Sequence, residues 1–333
     1  MATYKGIQGF TIQNLSADPS NFEEGQVWYN STSNVWKVGE LTTAGAWATG
    51  NNLNTARKQL AGAGTQTEAL AFGGANPPAV MLDSTEEYNG TSWTSNPTGL
   101  NTARRGLEGC GIQTAALAFG GELNPQPTNS SSTEEYNGAT WTTIPPGLNT
   151  ARANLGGCGT QTAGLAFGGG PSITGATEEY NGTSWATNPT GLNTARQFLG
   201  GTGTQTAGLA FGGNPGSPPF NTTATEEYDG STWTSNPTGL NTARRFFTGT
   251  GIQTAAVAFG GYIDPSATNT GATELYDGST WTSSPASMNT ARNGLGSAGT
   301  QSAALGFGGE PVTAATEEWT GPGALVTKTI TVS

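Results

Sequence analysis

The residues best equipped for chemistry are arginines and glutamates. Six arginines, Arg57, Arg104, Arg152, Arg196, Arg244 and Arg292, each close the tetrapeptide Asn-Thr-Ala-Arg and make up half of the twelve cations. Eleven of the 23 acids stand in boxes reading Thr-Glu-(Glu/Leu)-Tyr, with Trp319 in place of the last tyrosine. A planar guanidinium suits a carboxylate in two parallel hydrogen bonds, so each arginine is expected to make a bidentate tie to a box glutamate such as Glu86 or Glu134. Facing solvent, the same group would instead take a carboxylate, phosphate or sulfate ligand. Other chemistry is thin. The chain has no histidine, which excludes imidazole acid/base catalysis, Ser-His and Cys-His nucleophiles, and the commonest zinc or copper ligand. Cys110 and Cys158 are too few for a disulfide framework or a metal knuckle. No catalytic residue, cofactor or metal is expected, and the chain reads as a non-enzyme. A net charge of −11 disfavours nucleic acid and anionic membranes, which need a basic face.

A repeat positions these groups. Asn-Thr-Ala-Arg begins at 54, 101, 149, 193, 241 and 289, and Phe-Gly-Gly follows 18 residues later each time, from Phe72 to Phe307. From each of the first five boxes, at Thr85, Thr133, Thr177, Thr225 and Thr273, the next tetrapeptide is always 16 residues away. All variation in length therefore falls in one connection per repeat: 75–84, 122–132, 170–176, 214–224, 262–272 and 310–315. Each unit reads as four short strands. In the second repeat these are a glycine-rich strand over 104–112, then 114–119, where Leu117 and Phe119 alternate with Ala116 and Ala118, then 133–136, then a strand at Trp141. Asn-Gly or Asp-Gly joins the last two strands, the dipeptide favoured where both central residues of a hairpin turn need positive φ. Gly 52 and Pro 18 in 333 residues oppose a helical fold, and no helical periodicity is present. The small residues aligned with Cys110 and Cys158, namely Ala63, Thr202, Thr250 and Ala298, read as packing near a common axis.

Four strands per unit of about 48 residues, with Gly-Gly ending the second and Tyr then Trp marking the third and fourth, resemble the kelch repeat of β-propellers. The resemblance covers residues 54–319 and implies an all-β, six-bladed kelch-type propeller with four-stranded blades. The sixth unit departs from it, having Glu318-Trp319 but no later tryptophan. A propeller must join its last blade to its first, or two sheet edges stay open. Trp47 stands before Asn54 much as Trp93 stands before Asn101, so a strand near Trp47 is expected to complete the blade of 289–319. The strand-like segment 324–331 is the competing candidate. The domains are then an extension over 1–46 and a propeller over 47–333. The resemblance also implies a role for the arginines, because in kelch domains that bind acidic peptides, arginines at this place line a pocket at one mouth of the channel. Copper-radical oxidation of the galactose oxidase kind needs two histidines that are absent here, and a sialidase-like hydrolase would bring Asp-box repeats, which are not found.

The segment Gly25–Val38, GQVWYNSTSNVWKV, resembles strings in tail-fibre and virion proteins of bacteriophages, and the whole arrangement is similar to kelch-like proteins of marine and cyanobacterial phages. The resemblance implies a virion location, an amino-terminal segment that attaches to other virion proteins, and a receptor-binding or decorating role. The plainer reading of the segment is one more β-hairpin. No signal-peptide core stands in MATYKGIQGFTIQ, and no stretch reaches 18 apolar residues. In a four-stranded antiparallel blade the 2–3 and 4–1 connections emerge on one face. The variable connections carry Asn76, Asn124, Asn129, Asn214, Asn221 and Asn269, with Phe220 and Tyr262 as their aromatics. Amides beside an aromatic ring suit sugar hydroxyls and sugar faces, so a host glycan or surface protein is the expected ligand of this face. Polar, proline-rich tips are also what tolerated loops look like.

Overall fold

The computed structural model describes residues 13–330, apart from 20, 42–43, 79, 125–127 and 324. The first twelve residues, part of the 122–132 connection and both ends of the 324–331 segment lie outside the described residues. Every regular element among those described is a strand, and no helix is long and apolar enough to cross a membrane. The chain divides into two units, Trp47–Thr320 and the described residues of Met1–Ala46 with Gly321–Ser333.

In Trp47–Thr320 the four-stranded antiparallel sheet recurs, an arrangement consistent with a β-propeller. The second sheet has the strands Glu108–Ile112, Ala115–Phe119, Thr133–Tyr136 and Trp141–Thr143, paired in chain order. Its first strand starts at Glu108, four residues later than the sequence pattern indicates, because Arg104 and Arg105 belong to the segment before the sheet. Equivalent sheets begin at Ala61, Gly156, Gly200 and Thr248. The sixth sheet joins Gly296–Gly299, Ala303–Phe307 and Thr316–Thr320 to Ala46–Gly50 from the other end of the chain. The strand at Trp47 is thus the one that completes the sixth sheet. Leu325–Ile330 instead pairs with Val35–Leu41, so residues 321–330 group with the amino-terminal segment, a correction to the propeller expected over 47–333.

The alternation in the second strand decides how sheets stack. Leu117 and Phe119 join the apolar cluster of Leu155, Ala166, Tyr180 and Trp185 in the third sheet. Ala116, Ala118, Tyr136 and Trp141 cluster with Leu70 and Phe72 of the first. Each sheet therefore offers a Leu/Phe face to the Ala/Tyr/Trp face of the next, with Val257 in place of leucine in the fifth sheet and Trp319 in place of tyrosine in the sixth. The pattern returns on itself, since Leu305 and Phe307 of the sixth sheet cluster with Ala69, Ala71, Tyr88 and Trp93 of the first. The phenylalanine explains the glycine-rich first strands: a Cβ at Gly109 would come within 2.3 Å of Phe72 Cζ, and one at Gly157 within 2.5 Å of Phe119 Cζ. Backbone is what fits beneath the ring.

Polar side chains repeat at the same interfaces. Each fourth-strand tryptophan donates Nε1–H to the box threonine of the preceding sheet, as Trp141 does to Thr85 and Trp47 to Thr273, both at 2.9 Å. Each tyrosine donates to the second box glutamate of the preceding sheet, for example Tyr180 to Glu135 at 2.8 Å and Tyr88 to Glu318. The fifth box carries Leu275 where this acceptor should be, and the sixth sheet carries Trp319 where the donor should be. Donor and acceptor are lost together, and Leu275 packs against the cluster of Trp319 instead. That exchange avoids an unpaired buried polar group. A glutamine in each first turn, such as Gln161, donates to two carbonyls of the preceding sheet, Ala116 and Tyr136, at 3.2 and 2.6 Å.

The other unit is a sheet in the order Gln13–Leu15, Val27–Asn30, Val35–Leu41, Leu325–Ile330. Asp18 organises it by accepting from Trp28 Nε1 at 3.0 Å, Asn30 Nδ2 at 2.7 Å and Lys37 Nζ at 2.8 Å. The Lys37 ammonium and these hydrogen bonds hold the Asp18 carboxyl down at about 2. The Trp, Asn and Lys of the Gly25–Val38 string are therefore the three donors to one carboxylate.

Candidate functional site

All six repeat arginines are within 1% of complete burial. Each pairs with the first box glutamate of its own sheet, from Arg292 to Glu317 at 2.8 Å to Arg57 to Glu86 at 3.1 Å. The expected bidentate fork is replaced by a shared arrangement. In five sheets one terminal nitrogen meets the glutamate, while the other donates to the carbonyl just before the box, as Arg152 does to Ala176 at 2.7 Å. The second glutamate oxygen accepts the Asn-Thr-Ala-Arg backbone N–H, as Glu178 does from Asn149 at 2.6 Å. Burial lowers Arg57, Arg104, Arg196 and Arg244 to about 10, against the opposing pull of the paired carboxylates, so they stay charged at neutral pH. These guanidinium groups offer no face to a ligand, and the anion-pocket role expected of them gives way to that of a fixed tie. Lys58 with Glu310, Arg105 with Glu122 and Arg245 with Asp264 complete the set, so every described cation of Trp47–Thr320 has an acid beside it.

The segment that places each arginine also builds a second feature two residues on. Gln59, Gly106, Asn154, Phe198, Phe246 and Gly294 all have φ between +53° and +58°. Their backbones hydrogen-bond head to tail: Gly106 N donates to Gln59 O, Asn154 to Gly106, Phe198 to Asn154, Phe246 to Phe198, Gly294 to Phe246 and Gln59 to Gly294, at 2.6 to 3.1 Å. Six sheets are thereby linked in a cycle of six bonds. Glycine and asparagine suit this conformation, whereas a phenylalanine there costs about 1–2 kcal/mol. Phe198 and Phe246 nevertheless occupy adjacent places, half-buried, with ring centroids 3.8 Å apart.

Behind this cycle the first strands of all six sheets line a cavity of about 230 Å3. Cys110 and Cys158 lie there, their thiols donating to the Thr160 and Thr204 carbonyls of the next sheet at 3.4 and 3.5 Å. Thr202 does the same to Gly251 at 2.7 Å. The cysteines are thus small members of a repeated contact, and burial pushes both thiols up. Glu108 also lines the cavity, where the other sheets carry alanine, glycine or threonine, and it accepts from Gly109 N at 3.0 Å. Desolvation pushes its carboxyl up to about 8. Sequence reasoning missed Glu108 because nothing marks it apart from its departure from the small residues aligned with it.

The variable connections flank the cycle, since single bridges tie Lys58 to Ala75, Gln197 to Asn214 and Arg245 to Tyr262. Asn76 lies in a cleft of about 220 Å3 with Lys58, Pro77, Arg105 and Glu310. Asn214 accepts from Gly216 N at 2.7 Å within its own turn, and Asn124 is exposed. Asn129, Asn221 and Asn269 are committed elsewhere, donating to the Gly170, Tyr262 and Glu310 carbonyls at 2.5, 3.1 and 2.8 Å. Phe220 is 44% exposed. The Arg245 guanidinium lies over the Tyr262 ring at 5.1 Å and the Phe246 ring at 6.0 Å, and reaches the Phe220 carbonyl at 3.4 Å. Of the residues expected at the site, Tyr262 and Phe220 are therefore joined through Arg245 to the phenylalanines of the cycle, while Asn76 and Asn214 sit in separate surroundings. No group of three or more metal-ligating side chains occurs among the described residues. Neither a family model nor a curated protein matches the chain.

Proposed function

We propose that the chain is a six-bladed kelch-type β-propeller acting as a non-enzymatic binding module, a phage virion component that presents its variable-loop face to a host-surface glycan or protein. The observation that carries the binding reading is the surface around the backbone cycle, where the rings of Phe198, Phe246 and Tyr262 meet around Arg245, which also reaches the Phe220 carbonyl, with Asn154 next to Phe198 in the cycle and Gln59 across it. Loop surfaces on a rigid scaffold are where recognition groups usually stand. Six blades are supported by the interfaces that return from the sixth sheet to the first and by the six-membered cycle. The non-enzymatic reading draws support from the locked arginine–glutamate pairs and the missing histidine. The virion assignment rests on the resemblance of Gly25–Val38 to phage strings, and it includes attachment through the amino-terminal segment. The test is binding of the isolated chain to a glycan array and to bacterial cells. Retention on a defined glycan or on cells of one host supports the reading, and no retention on either removes it.

A purely architectural role, as a virion decoration or adaptor, is favoured by Asn129, Asn221 and Asn269, which spend their amides holding each loop to the next sheet. Recovery of the chain in purified particles that adsorb normally without it would select that role.

A further inference from the structure

We propose that the closely packed pair Phe198 and Phe246, continued by Arg245 and Tyr262, is a platform for neutral hexopyranose rings at the centre of the loop face. The inference rests on the binding function proposed above and names its site and ligand class. Four observations lead to it. The phenylalanines occupy places in the cycle where two other sheets have glycine, one has asparagine and one has glutamine, and both hold a conformation that disfavours them. Gln59 shares the conformation, but only here do two bulky rings adjoin in it, which is a reason to look for function there. The rings are only half-buried, although every sheet's core phenylalanine or leucine is fully enclosed.

Across the cycle stand Gly106 and the amide-bearing Gln59, while Asn154 flanks Phe198 and Gly294 flanks Phe246. At Gly294 an added Cβ would meet nothing closer than 3.5 Å. The mouth is thus aromatic on one side and open or amide-lined on the other. A pyranose offers one apolar C–H face and a rim of hydroxyls that donate and accept, which matches an aromatic floor beside primary amides. Charge selects the neutral class: Lys58, Arg105 and Arg245 are each paired with an acid, so no described cation of Trp47–Thr320 is left unpaired for a uronate, sialic acid or sulfate. Arg245 serves here as a stacking element held by Asp264 and spanning Phe246 and Tyr262.

The experiment uses the full chain with gluco-, galacto- and manno-oligosaccharides of two to six units, observed by saturation-transfer difference NMR, with sialylated, uronic-acid and sulfated sugars in parallel. Binding of at least one neutral series is expected, with at least a tenfold loss in the double variant Phe198→Asn/Phe246→Asn. Asparagine already occupies this place at Asn154, so the melting temperature of the variant should equal or exceed that of the natural chain. Phe246→Tyr should keep the binding, which guards against a double variant that folds poorly. Equal binding by natural chain and double variant overturns the platform while leaving the binding function intact. Preference for the acidic sugars, or a lower melting temperature with binding retained, overturns it too. No retention on the glycan array or on cells removes the function itself.

Discussion

Replacing Trp47 with alanine asks whether the far end of the chain completes the sixth sheet. The indole is 9% exposed, its ring lies 4.8 Å from Phe259 and 5.4 Å from Trp319, and Nε1 donates to Thr273 Oγ1 at 2.9 Å. Trp141 has the same surroundings in the second sheet, 4.8 Å from Phe72 with Nε1 on Thr85 at 2.9 Å. Truncating a buried aromatic to alanine costs about 3–5 kcal/mol, to which an unpaired threonine hydroxyl adds about 1 kcal/mol. Trp47→Ala and Trp141→Ala should therefore each lose about 4–6 kcal/mol, or roughly 7–10 °C of melting temperature at this size. Guanidinium denaturation followed by far-ultraviolet circular dichroism reads both without relying on tryptophan fluorescence. Equality of the two is the point. Trp47→Ala within about 1 kcal/mol of the natural chain, beside a full loss for Trp141→Ala, would refute completion of the sixth sheet by this strand.

The remaining expectations concern charge. Arg152→Met leaves Glu178 buried without its cation and should cost about 3–5 kcal/mol, with a similar loss for Arg57→Met and Arg244→Met, measured by denaturant midpoint. Because these groups are enclosed, sulfate and phosphate should stabilise natural and variant chains equally in a thermal shift series. Glu108 has its folded value raised from 4.5 to about 8, so the folded state holds a proton that the unfolded state has released between those limits. Its contribution to stability declines as pH rises through that window, by about 1–3 kcal/mol once the partial exposure of Glu108 is allowed for. The difference between natural chain and Glu108→Gln should follow this slope, and parallel pH profiles would contradict it. Asp18 works in the opposite sense, with a folded value lowered from 3.8 to about 2: its stabilisation is present above about 3.8 and fades as pH falls toward 2. Asp18→Ala strands three donors and should unfold the amino-terminal sheet first, visible as a change in Trp28 emission, while the repeats stay folded.

Much of this arrangement was legible in the residues. The six spacings, the alternation of Leu117 and Phe119 with Ala116 and Ala118, and the likeness of Trp47 to Trp93 are side-chain patterns, and the sheets follow them. The first-turn glutamines were equally regular, from Gln66 to Gln301, yet their role depends on which neighbouring carbonyls they reach, which a single unit does not reveal. The backbone cycle was hidden for a different reason. Its bonds use only main-chain groups, so glutamine, glycine, asparagine and phenylalanine all serve and no shared residue type marks the place. Sequence offers the arginines two roles, partner of glutamate or ligand of an anion at the surface, and their burial selects the first; spacing reports who is near whom but not how deep they lie. The pairing of 325–330 with 35–41 joins segments that share no repeat, and only the folded arrangement displays it.

The claim beneath all of this is that six sheets close on one another. Amide hydrogen exchange at Gln59, Gly106, Asn154, Phe198, Phe246 and Gly294, resolved by NMR on the natural chain, tests it at the six bonds that form the cycle. Closure predicts slow exchange at all six, with opening free energies alike and near that of the cores. Fast exchange at Gln59, whose bond to Gly294 joins the first sheet to the sixth, beside slow exchange at the other five would contradict it.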